Sequence, residues 1–66
     1  MKYYLFKRNR ENDLASERYA TGVVTNKGNV AETKSLVDAI AFYSPGKAYL
    51  YGATNPAYSW WRVGRR

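Results

Sequence analysis

The segment ETKSLVDAIAFYSPG, residues 32–46, has the clearest helical pattern in the chain. At about 100° per residue, most of its apolar side chains fall on one broad arc. These side chains are Leu36, Val37, Ala39, Ile40, Ala41 and Tyr43. Either Ser35 or Thr33 supplies a hydroxyl that can cap the first turn. The SPG sequence that follows is typical of the end of a helix. The pattern therefore predicts one helix over residues 32–44.

Short segments typical of β-strands lie on both sides of this predicted helix. They are aromatic or β-branched and are bounded by turn-forming residues: KYYLFK (2–7), RYATGVVT (18–25), VAE (30–32), KAYLYG (47–52) and YSWWRV (58–63). Gly28 in NKGN (26–29) favours a hairpin turn, and Gly22 indicates a β-bulge. The predicted fold class is α+β: a small antiparallel sheet of four or five strands in ββ(β)αββ order, with one helix packed on one face.

The connecting segments are polar and short. A loop with one helical turn near Leu14 is predicted for residues 8–17. A turn is predicted for ATNPA (53–57), and a free basic tail for GRR (64–66). No internal linker is visible, so residues 1–66 are predicted to form a single basic α+β binding domain. Such a short chain buries a smaller share of its surface than a large domain does, and it has no Cys for disulfides. Aromatic side chains must therefore complete the core.

Composition argues against several classes of function. The chain has neither Cys nor His, and so it lacks the usual zinc ligands and an imidazole base for a nucleophile. It has no P-loop and no dinucleotide fingerprint. We therefore expect a non-enzymatic protein without a metal or cofactor.

No apolar run approaches the roughly 20 residues of a membrane span, and the N-terminus lacks the features of a signal peptide. We expect a cytoplasmic protein, complete from Met1, with no membrane partner.

Positive charge is concentrated at the two ends of the chain. The net charge is +6. Residues 1–10 and residues 39–66 each contain four Lys or Arg and no acidic residue, whereas all five acidic residues lie between them. Each end thus carries +4 and the middle carries −2. The net positive charge predicts an anionic partner, and the two basic ends would form one patch only if the fold brings them together.

The predicted final hairpin divides the aromatic side chains between two faces, because a strand alternates its side chains. One face would carry Lys47, Tyr49, Tyr51, Tyr58, Trp60 and Arg62. The other would carry Ala48, Leu50, Gly52, Ser59, Trp61 and Val63. The second set suits a helix-covered core. We therefore predict that Trp61 is buried and that Trp60 stands on an open aromatic and basic face.

An open face of aromatic rings and cations suits nucleic acid, and single strands are favoured because their bases are free to stack. The predicted stacking residues are Tyr49, Tyr51, Tyr58 and Trp60. The predicted phosphate contacts are Lys47, Arg62, Arg65 and Arg66. Lys7, Arg8 and Arg10 would join them if the first strand lies beside the last.

Other uses of the same face stay open at this point. Tyr, Trp and Arg are enriched in protein interfaces, so the alternative is a small inhibitor or modulator, of the kind that phages encode, which binds an acidic surface of a larger host protein. The face could also form a homodimer or only stabilise the sheet. Phe42 lies opposite the apolar arc of the predicted helix. It is either covered by a neighbouring loop or strand end, or exposed as a partner contact.

Overall fold

A computed structural model describes residues 2–25 and 27–66. Met1 and Asn26, the first residue of the predicted hairpin turn, lie outside the described residues. Four strands, β1 (Tyr3–Lys7), β2 (Arg18–Val24), β3 (Val30–Thr33) and β4 (Arg62–Arg65), form one antiparallel sheet in the order β3-β2-β1-β4. A single helix, α1 (Pro45–Thr54), packs against it. The predicted α+β class, with an antiparallel sheet and one helix, is confirmed.

The predictions for the first half of the chain are confirmed. β1, β2 and β3 lie where the strand patterns place them, and Leu14–Ser16 form a short 3₁₀ turn. Gly28 has φ +79° in the turn between β2 and β3, where its N–H donates to the Thr25 carbonyl at 2.9 Å. Gly22 has φ +86°, and the β2–β3 register shifts around it, as expected of a bulge.

The predicted helix over residues 32–44 is wrong. β3 extends to Thr33, and residues 36–38 form a turn. Val37, a member of the supposed apolar arc, is 93% exposed. A helical arc is stable in a small protein only when another element covers it. In the fold, Leu36, Val37 and Tyr43 from this arc are exposed, so burial does not stabilise a helix here.

Residues 40–42 instead fill a gap between β1 and β2. Those two strands pair only near Phe6 and Lys7 and then diverge. In the gap, the Ile40 N–H donates to the Ala20 carbonyl at 2.9 Å. Phe42 and Tyr3 exchange backbone hydrogen bonds of 2.8 and 2.9 Å. Ile40 and Phe42 both pack against the core, and their two-residue spacing is that of an extended chain.

The helix begins at the residues predicted to end one. Ser44 is the N-cap of α1, and its hydroxyl accepts a hydrogen bond from the Lys47 N–H at 3.2 Å. Pro45 occupies the first turn, where its missing N–H costs nothing. Ala48 and Gly52, one turn apart, are the buried residues of the helix. A Cβ on Gly52 would lie 3.3 Å from Leu5, so these small residues let α1 sit close to β1. The predicted strand at 47–52 is therefore wrong.

The predicted last strand, 58–63, is also displaced. Pro56–Tyr58 form a 3₁₀ turn, and Ser59 and Trp60 form a further turn. β4 starts at Arg62 and includes Gly64 and Arg65, which the sequence placed in a free tail. Three strands therefore precede the helix and one follows it, whereas the predicted order placed two strands after it.

The core lies between α1 and the sheet and is largely aromatic. Its buried residues are Leu5, Ala20, Tyr58 and Trp61, and Tyr58 meets Trp61 edge to face at 5.2 Å. The Tyr58 hydroxyl accepts a hydrogen bond from the Gly22 N–H at 3.3 Å. Burial raises the pKa of Tyr58. The polar end of this ring is thus satisfied inside the core, which also positions the bulge of β2.

Candidate functional site

Pairing of β1 with β4 brings the two basic ends of the chain together. Tyr3 lies opposite Arg65 and Phe6 opposite Arg62 in an antiparallel ladder. The ladder ends with a hydrogen bond of 3.2 Å from the Arg66 N–H to the Lys2 carbonyl. The first strand therefore lies beside the last, which is the arrangement required for the N-terminal cations to join those of β4.

A cleft of about 280 Å³ opens at the end of this strand pair, where β1 runs into the following loop and β4 begins. We call it the basic cleft. It is lined by Phe6, Lys7, Arg8, Asn9, Arg10, Glu11, Trp60 and Arg62. Four of these side chains are cationic and one is anionic, so the lining carries a net charge of +3.

Trp60 is the exposed aromatic residue of the basic cleft. It is 63% exposed, whereas Trp61 is 8% exposed, and their ring centroids lie 6.0 Å apart. The predicted difference in exposure between the two indoles is confirmed, although its cause is not the pleat of a strand. Trp60 belongs to the turn before β4, and Trp61 enters the core where the chain leaves that turn. The Lys7 ammonium lies 5.5 Å from one ring centroid and 5.4 Å from the other, within the range of cation–π attraction.

The cations of the basic cleft differ in how they are paired. Lys7 forms an ion pair with Glu32, and Arg62 with Glu11 at 3.1 Å. Arg10 forms no ion pair within residues 2–25 and 27–66. Exposed pairs such as Arg62–Glu11 contribute about 0–1 kcal/mol, so these cations can exchange their partners for a ligand at little cost.

Glu17 organises the sheet face opposite α1. Its carboxylate accepts hydrogen bonds from Arg8 at 2.8 Å, from Arg66 at 2.8 and 3.2 Å, and from the Tyr19 hydroxyl. The hydrogen bonds from Arg66, and those from Tyr19 and Arg8, lower the pKa of Glu17 from 4.5 to about 2. Burial, together with the nearby carboxylate, raises the pKa of Tyr19. This network stabilises the fold, because it fixes the guanidinium groups of Arg8 and Arg66.

The same two guanidinium groups cover an aromatic side chain on that face. The guanidinium group of Arg8 lies 5.3 Å from the centroid of the Phe6 ring, and that of Arg66 lies 4.6 Å from it. Tyr4, beside it in β1, packs against Tyr19 with the ring centroids 6.0 Å apart. Both Phe6 and Tyr4 are buried although no helix of the described chain covers this side. This face is aromatic and basic, but it is not the predicted one: its rings belong to β1 and β2 and are already covered, whereas the predicted rings belonged to a final hairpin that does not form.

Several predicted site residues lie elsewhere. Tyr58, predicted on the open face, is 1% exposed and belongs to the core, because the chain turns before it can form a strand there. Tyr51 is half-buried on α1 between Phe42 and Tyr58. Of the two alternatives for Phe42, the exposed partner contact is wrong: the side chain is covered, although by α1 rather than by a loop or strand end. Tyr49 and Lys47 are exposed, but on α1 and outside the basic cleft.

The remaining predicted cations all lie on or beside β1 and β4. Lys7, Arg8, Arg10 and Arg62 line the basic cleft. Arg65 is exposed on the edge strand, and Arg66 is held by Glu17. Phe6, Asn9 and Glu11 also line the cleft, and sequence reasoning did not place them there. Their position depends on the pairing of β1 with β4, which no local pattern in the chain encodes.

No family model, curated protein or solved structure matches the chain. Within the described residues, no helix has the length and apolar character needed to cross a membrane. The same part of the chain contains no group of three or more His, Cys, Asp or Glu side chains that could hold a metal ion.

Proposed function

We propose that this protein binds single-stranded nucleic acid in the basic cleft, with Trp60 stacking on a base and the surrounding cations contacting phosphates. One observation carries the proposal. The β1–β4 pairing gathers cations from both ends of the chain around a single indole that is largely exposed to solvent.

The chemistry of the basic cleft favours an unpaired base. An exposed aromatic ring stacks on any base, with a contribution of about 1–3 kcal/mol, but the bases of a duplex are already stacked on each other. Arg10 and Arg62 reach the same cleft and provide planar donors suited to phosphate oxygens. Stacking and phosphate contacts together give affinity with little dependence on base sequence.

The number of cations in the basic cleft predicts a salt dependence. If Lys7, Arg10 and Arg62 each contact one phosphate while Arg8 stays bound to Glu17, log K falls with log salt at a slope of about −0.7 × 3, or about −2.1. The affinity would then fall about 20-fold between about 50 and 200 mM salt. A ligand held by apolar contacts alone would show almost no such change.

Tryptophan fluorescence provides a direct test, because the chain has only two tryptophans and Trp61 is buried. Addition of a short oligothymidylate at low salt should quench the Trp60 emission. Trp60→Ala, whose affinity is measured with a dye-labelled oligothymidylate because the quenched indole is gone, should weaken binding about 5- to 150-fold, which corresponds to the loss of one stacked base. Tyr49→Ala is the matched control, because it removes an exposed ring outside the cleft. Absence of binding at low salt, or full binding by Trp60→Ala, would contradict the proposal.

A second candidate function is the binding of an acidic surface on a larger protein, and the outer side of α1 favours it. Tyr49 and Leu50 are adjacent and exposed, Lys47 precedes them, and the helix contains no acidic residue. Exposed aromatic side chains are typical of protein interfaces. A pull-down from nuclease-treated lysate tests this function. A stoichiometric partner that Tyr49→Ala releases would support it, and the absence of any such partner would contradict it.

A further inference from the structure

Glu11 occupies an unusual position for the one acidic residue of the basic cleft. Its carboxylate accepts a hydrogen bond from Arg62 at 3.1 Å, and its backbone carbonyl accepts one from Arg8 at 2.6 Å. The Glu11 side chain is 80% exposed and that of Arg62 is 59% exposed. The pair thus forms across the mouth of the cleft, in water, and between residues 51 positions apart in the chain.

A carboxylate and a phosphate present similar oxygen acceptors to a guanidinium group. The Glu11 oxygen therefore marks a point that a phosphate oxygen can occupy within reach of Arg62. Arg10 lines the same cleft without an acidic partner in the described chain. Trp60 lines it as well, so a base stacked on this ring would bring its own phosphate to the same cations.

We propose that Arg62 and Arg10 form the phosphate subsite of the basic cleft, and that Glu11 occupies this subsite in the free protein and is displaced by the ligand. The inference rests on the proposed function and adds to it the position of the phosphate and an internal competitor. Glu11 lowers the affinity of the cleft for phosphate, because each binding event must first break its pair with Arg62.

Replacement of Glu11, the internal competitor, should tighten the binding of an oligonucleotide. Glu11→Gln should raise the affinity for a short oligothymidylate by up to about 5-fold at low salt, which is the range for loss of an exposed ion pair. The slope of log K against log salt should not change, because the same phosphates are contacted. Arg62→Gln should weaken binding and reduce the slope by about 0.7, since one phosphate contact is lost.

A general effect of charge must be separated from displacement at Arg62. Asp13→Asn is the matched control: Asp13 lies two positions along the same loop, outside the lining of the cleft, and its side chain makes no capping hydrogen bond. It removes the same unit of charge. In the wild-type background, Glu11→Gln should raise the affinity for the oligonucleotide more than Asp13→Asn does. When Arg62→Gln is also present, the two variants should raise the affinity equally, because no pair between residues 11 and 62 then remains to break.

The outcomes distinguish this inference from the proposed function. Displacement of Glu11 is supported if Glu11→Gln binds more tightly than Asp13→Asn and if this difference disappears in the Arg62→Gln background. If the oligonucleotide binds but the two acidic variants behave alike, the inference is wrong and the proposed function stands. If neither the wild-type protein nor Glu11→Gln binds the oligonucleotide at low salt, both are wrong. Circular dichroism of each variant verifies that all of them are folded.

Discussion

Replacement of Glu17 by glutamine should destabilise the fold strongly at neutral pH. The carboxylate is the common acceptor for two guanidinium groups and a phenol, and its side chain is only 9% exposed. Glutamine has nearly the same shape but no charge, and its amide N–H₂ group cannot accept a hydrogen bond. Arg8 and Arg66 would then be left beside each other without an anion between them, while the packing volume would hardly change.

The pKa of Glu17 sets the size of the effect. It falls from 4.5 to about 2 in the folded protein. At about 1.4 kcal/mol per pH unit, this corresponds to at most about 3.4 kcal/mol of folding free energy at neutral pH. Water reaches the partly exposed Arg8 and Arg66 side chains and screens the charges, so we expect about 2 kcal/mol. For a chain of this size, that loss lowers Tm by about 8–16 °C.

Urea denaturation as a function of pH provides the assay. The pKa of Glu17 is depressed on folding, so its stabilisation is fully present above about pH 4.5 and is lost as pH falls through about 2. The gap in unfolding free energy between wild type and Glu17→Gln should therefore be largest at pH 5–7 and close towards pH 2. Glu11→Gln, which breaks an exposed pair, should change stability by less than about 1 kcal/mol. Equal midpoints for wild type and Glu17→Gln at pH 7, or a gap that persists at pH 2, would refute this account.

Two further substitutions test the packing and the helix start, both by urea denaturation. Gly64→Ala should destabilise the fold by about 1–3 kcal/mol, because its Cβ would lie 2.5 Å from the Phe6 ring. Gly46→Ala, where no other atom lies within 4 Å, should cause no loss, and equal losses at the two glycines would contradict the packing explanation. Ser44→Ala should cost about 1 kcal/mol by removing the cap of α1, whereas Ser44→Asp, which preserves an acceptor, should cost much less. Equal losses for the two Ser44 variants would show that the cap is unimportant.

Local patterns predicted the first half of the fold well because its conformations depend on neighbouring residues. β1 and β2 are aromatic and β-branched, which suits a half-buried pleated surface. Gly28 and Gly22 adopt positive φ values that other residues rarely accept. Each of these preferences acts within a few residues, so the sequence contains all the information needed to recognise it.

The helix was misplaced because two adjacent segments each carried a plausible but wrong signal. Ser44-Pro45 can follow a helix or begin one, since Ser is a good N-cap and Pro is accepted in the first turn. KAYLYG alternates like a strand, yet Ala48 and Gly52 are also the small pair, one turn apart, that lets a helix approach β1 closely. The choice depends on Leu5, which lies more than 40 positions earlier in the chain.

The amino-acid sequence alone was sufficient to indicate the α+β class, the early hairpin and the basic ends. It also predicted that Trp60 is exposed and Trp61 buried, but on the basis of a strand alternation that the turn before β4 does not have. The location of α1, the burial of Tyr58 and the basic cleft required the folded chain. These features follow from which distant surfaces meet: β4 pairs with β1, and α1 packs on both. Steric preferences and hydrophobic periodicity depend on residues close together in the sequence. Burial depends on which distant segments of the chain pack together and exclude water.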